Sequence, residues 1–126
     1  MREYGMRLPL LATIALCFGG CAFLLHSNCE NTVKSEIHSP DSKYVATLFE
    51  RNCGATTDFS TIVNLRESSA SFKDDDLGIV IVKGQHKLDL VWDGNTKLQL
   101  ECHDCRAEDI FKQERTWKDI DISFLH

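Results

Sequence analysis

Residues 88–102 read LDLVWDGNTKLQLEC, and this stretch decides the fold class. Leu88, Leu90 and Trp92 alternate with Asp89 and Val91. Beyond Asp93-Gly94-Asn95, Leu98, Leu100 and Cys102 alternate with Lys97, Gln99 and Glu101. A period of two is the signature of a strand with one buried face. Asp-Gly between two such runs supplies the positive φ that a tight hairpin turn needs.

The same period extends outward in both directions. Upstream, residues 43–51 (KYVATLFER) carry Val45, Thr47 and Phe49 on one face and Tyr44, Ala46 and Leu48 on the other. A strand apolar on both faces belongs inside a sheet. Residues 59–65 (FSTIVNL) alternate again, and residues 77–82 (LGIVIV) form a short apolar run between Asp74-Asp75-Asp76 and Gly84. Downstream, Ile120, Ile122 and Phe124 alternate with Asp121 and Ser123, whereas residues 107–115 suit either a short helix or a strand. Seven or eight short strands joined by brief turns predict a mainly β domain, an antiparallel meander forming a small sandwich or open barrel. Trp92 and Trp117 read as core residues, and residues 66–76 as the longest polar connection.

The N-terminal segment has a different character. Leu8 to Leu25 (LPLLATIALCFGGCAFLL) contains no charged residue and follows Arg2 and Arg7. As a helix it would rise about 27 Å, close to the thickness of a bilayer core. The basic flank places the N-terminus in the cytoplasm and everything after Ser27 outside. The expected organisation is therefore a signal or membrane-anchor segment over 1–26 and an extracytoplasmic β domain over 27–126. Two mechanisms of tethering compete. Phe18-Gly19-Gly20-Cys21 is similar to a lipobox, which would lipidate Cys21, while the apolar run past Cys21 favours an uncleaved single-pass helix. Ordinary signal cleavage finds a poor site around Cys17-Phe18-Gly19.

Charge and cysteine usage agree with that address. From His26 onward the chain has twelve Lys and Arg against eighteen Asp and Glu. So acidic a domain, with no basic cluster, is not built for nucleic acid, where affinity rests on phosphate neutralisation. Four cysteines lie outside the apolar segment, namely Cys29, Cys53, Cys102 and Cys105. An even number in a small exported domain reads as two disulfides, and three connectivities are open. Cys29–Cys53 with Cys102–Cys105 is the favoured pairing. The first bridge would fasten the chain leaving the membrane to the domain, with roughly 3 kcal/mol from loop closure.

Two stretches invite chemistry. Cys102-His103-Asp104-Cys105 is a CxxC with three readings: a structural disulfide, a redox dithiol, or a metal half-site that His86 or His103 would have to complete. Residues 51–61 (RNCGATTDFST) suit a tight turn with hydroxyls capping backbone amides. Read functionally, Thr56, Thr57 and Ser60 would donate to a ligand with Arg51 as counter-ion. Catalysis there would need His38, His86 or His103 beside a hydroxyl. The Asp74–Asp76 run lacks the alternating ligands and Gly of a calcium loop, so it reads as solvated. The sequence calls for no metal or cofactor.

Residues 39–46 (SPDSKYVA), then FERNCGATT over 49–57 and FST over 59–61, following Cys29-Glu30-Asn31, resemble a family of small bacterial exported or membrane-anchored proteins. That family carries SPDGKYxAxxFxRxCGATTxFST; Ser42 stands here for the Gly of the turn. The resemblance implies export and disulfides and assigns no activity. The expected function is a membrane-tethered, non-enzymatic binding module of the cell envelope with a protein partner. An immunity or exclusion protein covering a basic toxin or phage component is its specific form. The alternative is an envelope thiol–disulfide protein using Cys102 and Cys105.

Overall fold

The structure is a computed structural model that describes residues 29–73 and 77–126. The apolar segment 1–26 with Cys21, and the Asp74–Asp76 run, lie outside the described residues. In chain order the strands are β1 (Glu30–His38), β2 (Tyr44–Asn52), β3 (Ser60–Glu67), β4 (Val80–Lys83), β5 (Leu88–Trp92), β6 (Lys97–Cys102), β7 (Ile110–Gln113), β8 (Thr116–Trp117) and β9 (Ile120–Leu125). A 3₁₀ turn, Ala107–Asp109, precedes β7, so the ambiguous stretch resolves into both of its readings.

Two sheets form, and neither closes into a barrel. The first has the order β1-β2-β3-β4-β7 and is antiparallel throughout; the second has the order β5-β6-β9-β8. The meander holds through β1 to β4 and in the β5–β6 hairpin, whose register sets Leu88 opposite Cys102 and Trp92 opposite Leu98. It fails at two places. β7 returns to the first sheet beside β4, and β9 pairs parallel with β6. A strand's own alternation specifies its buried face and not its neighbour, which is why the expected all-antiparallel order breaks there.

One core lies between the sheets. Ala46, Leu48, Val63, Leu65, Val80 and Val82 face Leu88, Leu90, Leu98, Leu100, Ile120, Ile122 and Phe124 in a single apolar cluster. Trp92 and Trp117 are half-buried against it, and Trp92 Nε1 donates to the Ile37 carbonyl at 3.0 Å, tying the edge of one sheet to the other.

The opposite face of the first sheet is also covered. Val45, Thr47, Phe49, Ile62 and Asn64 are all at most 1% exposed. Part of the cover is the chain after β3. Phe72 meets Phe49 edge-on with ring centroids 5.0 Å apart, and the Arg66 guanidinium lies 5.6 Å from the Phe72 ring centre. Arg66 Nη1 donates to Thr47 Oγ1 at 2.7 Å, Nη2 pairs with Glu36 Oε1 at 3.2 Å, and Nε donates to the Ala70 carbonyl at 3.2 Å. One side chain thus joins β1, β2 and the covering loop. Arg66→Leu keeps apolar bulk but removes these bonds over the buried Thr47. It should lower unfolding free energy by about 2 kcal/mol, seen as an earlier urea midpoint.

The Ser39–Lys43 turn sits at the end of the molecule opposite Cys29. Asp41 Oδ1 accepts from Ser39 Oγ at 2.7 Å and from the Lys43 amide at 3.1 Å. Ser39's hydroxyl first, then the Lys43 amide, hold the Asp41 carboxyl below its ordinary value. The stabilisation from that shift is present above the ordinary aspartate range and is lost as pH falls through the lowered value. Asp41→Asn should accordingly flatten the acid limb of a stability-against-pH curve. Ser42 takes φ 62°, the left-handed conformation that favours glycine. Ser42→Gly relieves that strain and should raise the thermal midpoint, by up to about 1 kcal/mol of stability.

Candidate functional site

Strand direction gathers the chemistry at one end of the domain. β1 begins, β2 ends and β3 begins there, since Glu30 pairs with Asn52 and Arg51 with Ser60. β4 ends at Lys83 opposite Ser60, and β6 ends at Cys102 opposite Leu88. Both disulfides lie at this pole, Cys29–Cys53 and Cys102–Cys105, in the expected pairing.

The residues between β4 and β5 bring His86 to the second bridge. Gly84 takes φ +95°, and its amide donates to the Phe59 carbonyl at 2.6 Å. Thr61, buried on β3, donates its hydroxyl to the Gly84 carbonyl at 2.7 Å and accepts from the His86 amide at 3.0 Å. A Cβ at Gly84 would stand 3.2 Å from His86 Nε2, so the glycine leaves room for the ring as well as supplying the backbone angle. The ring lies with Nε2 2.7 Å from the Lys83 carbonyl and Nδ1 3.2 Å from Asp104 Oδ1. The Lys83 carbonyl can only accept, so Nε2 is the donor there, and Nδ1 faces a carboxylate that likewise accepts.

Asp104 Oδ1 also lies 3.4 Å from Cys102 Sγ. One donor atom each from His86, Cys102, Asp104 and Cys105 falls within 4.8 Å of all the others. Cys102 is 2% exposed at the end of a strand, Cys105 is half-buried, and Asp104 opens the group to solvent. His103, inside the CxxC, faces away: its Nε2 lies 3.2 Å from Asp89 and its Nδ1 3.7 Å from Glu101. Sequence spacing offered both histidines to the cysteines, and the fold selects the one sixteen positions upstream of Cys102.

The 51–61 stretch turns as its residues suggest. Gly54, at φ +131°, accepts from both the amide and the hydroxyl of Thr57, at 3.2 and 3.1 Å. Thr56 and Thr57 stand exposed on that turn. Arg51 and Ser60 are cross-strand neighbours on the covered face, where Arg51 Nε donates to Asn31 Oδ1 at 3.0 Å and the guanidinium lies 5.5 Å from the Phe49 ring centre. The four therefore form a pair and a separate turn. Among the described residues, no histidine ring bonds to Thr56, Thr57 or Ser60, and a hydrolase arrangement gains no geometric support.

A cleft of about 440 Å³ opens elsewhere, lined among others by Leu65, Ile79, Lys112, Glu114, Trp117 and Lys118. Around Trp117, Tyr44 packs edge-on at 5.8 Å and Lys118 lies 4.9 Å from the indole centre while bonding Glu67 at 2.8 Å. The bond to Glu67 raises the Lys118 pKa, and burial raises that of Tyr44. This aromatic and charged surface lies toward the end of the molecule that holds the Ser39–Lys43 turn, because Tyr44 pairs with Glu67.

No family model, curated protein or solved structure matches the chain.

Proposed function

We propose that this chain is a membrane-tethered module of a bacterial cell envelope that acts by binding a protein partner. The observation that carries the reading is the use of all four cysteines of the 27–126 domain in two disulfides, an arrangement suited to an oxidising compartment. Only three residues separate Leu25 from Cys29, at most about 14 Å of extended chain. A tether at Leu8–Leu25 thus turns the disulfide pole to the membrane, while a lipidated Cys21 would leave that pole nearest the membrane on a longer leash of at most about 29 Å. The Tyr44–Trp117 surface and its cleft then face outward. Aromatic residues beside charges are the usual anchors of a protein interface, and a net acidic domain suits a basic partner.

The test is made on the full chain in cells. A photo-crosslinking residue at position 118 should give a discrete adduct in the membrane fraction, and the same residue at position 57 should not. Recovery of the chain in the cytosol would sink the address; equal adducts from both positions would sink the outward-facing surface. Fatty-acid labelling of wild type against Cys21→Ser separates the two tethers.

The thiol–disulfide alternative has one observation in its favour, the imidazole beside the Cys102–Cys105 bond. Against it stand a leading cysteine buried on a strand rather than placed at a helix N-terminus, and a carboxylate 3.4 Å from its sulfur, which disfavours a thiolate.

A further inference from the structure

We propose that the disulfide pole is a redox-gated zinc site, in which reduction of Cys102–Cys105 frees two sulfurs to join His86 and Asp104 around one Zn²⁺. The inference does not depend on the tether or on a protein partner.

Three features of the geometry support it. The four donor atoms already lie within 4.8 Å of one another, and the cysteine Cα atoms are 5.6 Å apart. Tetrahedral zinc with bonds of about 2.0–2.3 Å separates its donors by roughly 3.3–3.8 Å, so loading needs side-chain adjustment and no rearrangement of strands. His86 is also held as a ligand is held. Its Nε2 donates to the Lys83 carbonyl, as the outer nitrogen of a metal-bound histidine does, and Nδ1 is the nitrogen turned to Asp104 and the sulfurs, the one a zinc ion would take. The Thr61 and Gly84 contacts fix the loop that carries the ring. Finally, the buried Cys102 and the exposed Asp104 make a seat closed by protein on one side and open to an entering ion on the other. Two thiolates, an imidazole and a carboxylate form a donor set that suits zinc.

The chemistry balances as follows. A dithiol reductant gives two electrons and two protons to the Cys102–Cys105 bond and itself becomes a disulfide. Zinc then displaces both thiol protons to water and binds two thiolates, neutral His86 and the Asp104 carboxylate. In the reverse direction a second disulfide takes two electrons from the thiolates together with two protons from solvent. The S–S bond re-forms, and zinc leaves because neither sulfur retains a charge to hold it.

The test uses the full chain in detergent, with Co²⁺ as a spectroscopic probe and a phosphine reductant that spares the metal. Reduced wild type should gain one equivalent of tetrahedral cobalt with a sulfur-to-metal charge-transfer band, which zinc bleaches; the oxidised protein should gain none. The double variant Cys102→Ser/Cys105→Ser should lose that equivalent. His86→Ala, which leaves both thiols in place, should weaken binding by about tenfold or more. The proposal is overturned if the reduced protein shows no band, if the band survives loss of Cys102 and Cys105, or if His86→Ala binds as wild type does. Unfolding of the reduced chain, read by circular dichroism, would overturn it as well.

Discussion

Phe49→Ala should lower unfolding free energy by about 3–5 kcal/mol, the largest loss expected from a single side chain on the outer face of the first sheet. Phe49 is 0% exposed, yet it does not belong to the cluster between the sheets. Its neighbours are Val33 across β1, Ile62 across β3, the Phe72 ring above it and the Arg51 guanidinium. Truncation leaves a void that β2, hydrogen-bonded on both sides, has no freedom to collapse. Urea denaturation followed by Trp92 and Trp117 fluorescence measures the loss. A change below about 1 kcal/mol would mean that this face is not a packed layer.

Gly78→Ala should cost about 3–4 kcal/mol, through two effects that a second glycine separates. Gly78 takes φ +77°, where a side chain costs roughly 1–2 kcal/mol. A Cβ there would also stand 2.6 Å from both Ile62 Cγ2 and the Val63 carbonyl oxygen. Neither can yield: Ile62 is 1% exposed, and the Val63 oxygen accepts from the Ile79 amide at 2.7 Å. Such overpacking adds roughly 1–3 kcal/mol. Gly94, at φ +82° with nothing within 4 Å of a Cβ, carries only the backbone part. Equal losses for Gly78→Ala and Gly94→Ala would rule out the close approach as a cause.

These two sites mark where the sequence was legible and where it was not. Alternation located β3, β5, β6 and β9 to within two residues at either end, and a run apolar on both faces located β2 as closely. The doubly apolar character of residues 44–49 correctly implied neighbours on both sides. It did not identify the second layer, because Phe72 and Arg66 lie in or beside a stretch whose composition is polar. Residues 77–79 looked like part of β4, but Gly78 bends the chain against β3 and the strand starts at Val80. At the candidate site, the number of cysteines implied two disulfides and left three connectivities open, of which the structure has the favoured one. The approach of His86 was not implied, for it depends on Thr61 holding a loop that is remote from both cysteines in sequence.

The parallel pairing of β9 bears on the order in which the fold is completed. β9 is the last strand in chain order, yet it sits inside its sheet between β6 and β8. Five rungs join it to β6, from Lys97–Asp121 to Glu101–Leu125. A chain emerging N-terminus first from a ribosome therefore has β6 with an open edge, and a core missing Ile120, Ile122 and Phe124, until β9 has emerged. Contacts so distant in sequence form slowly. Completion of the core is thus deferred until β9 has emerged, and the two-sheet fold locks only then.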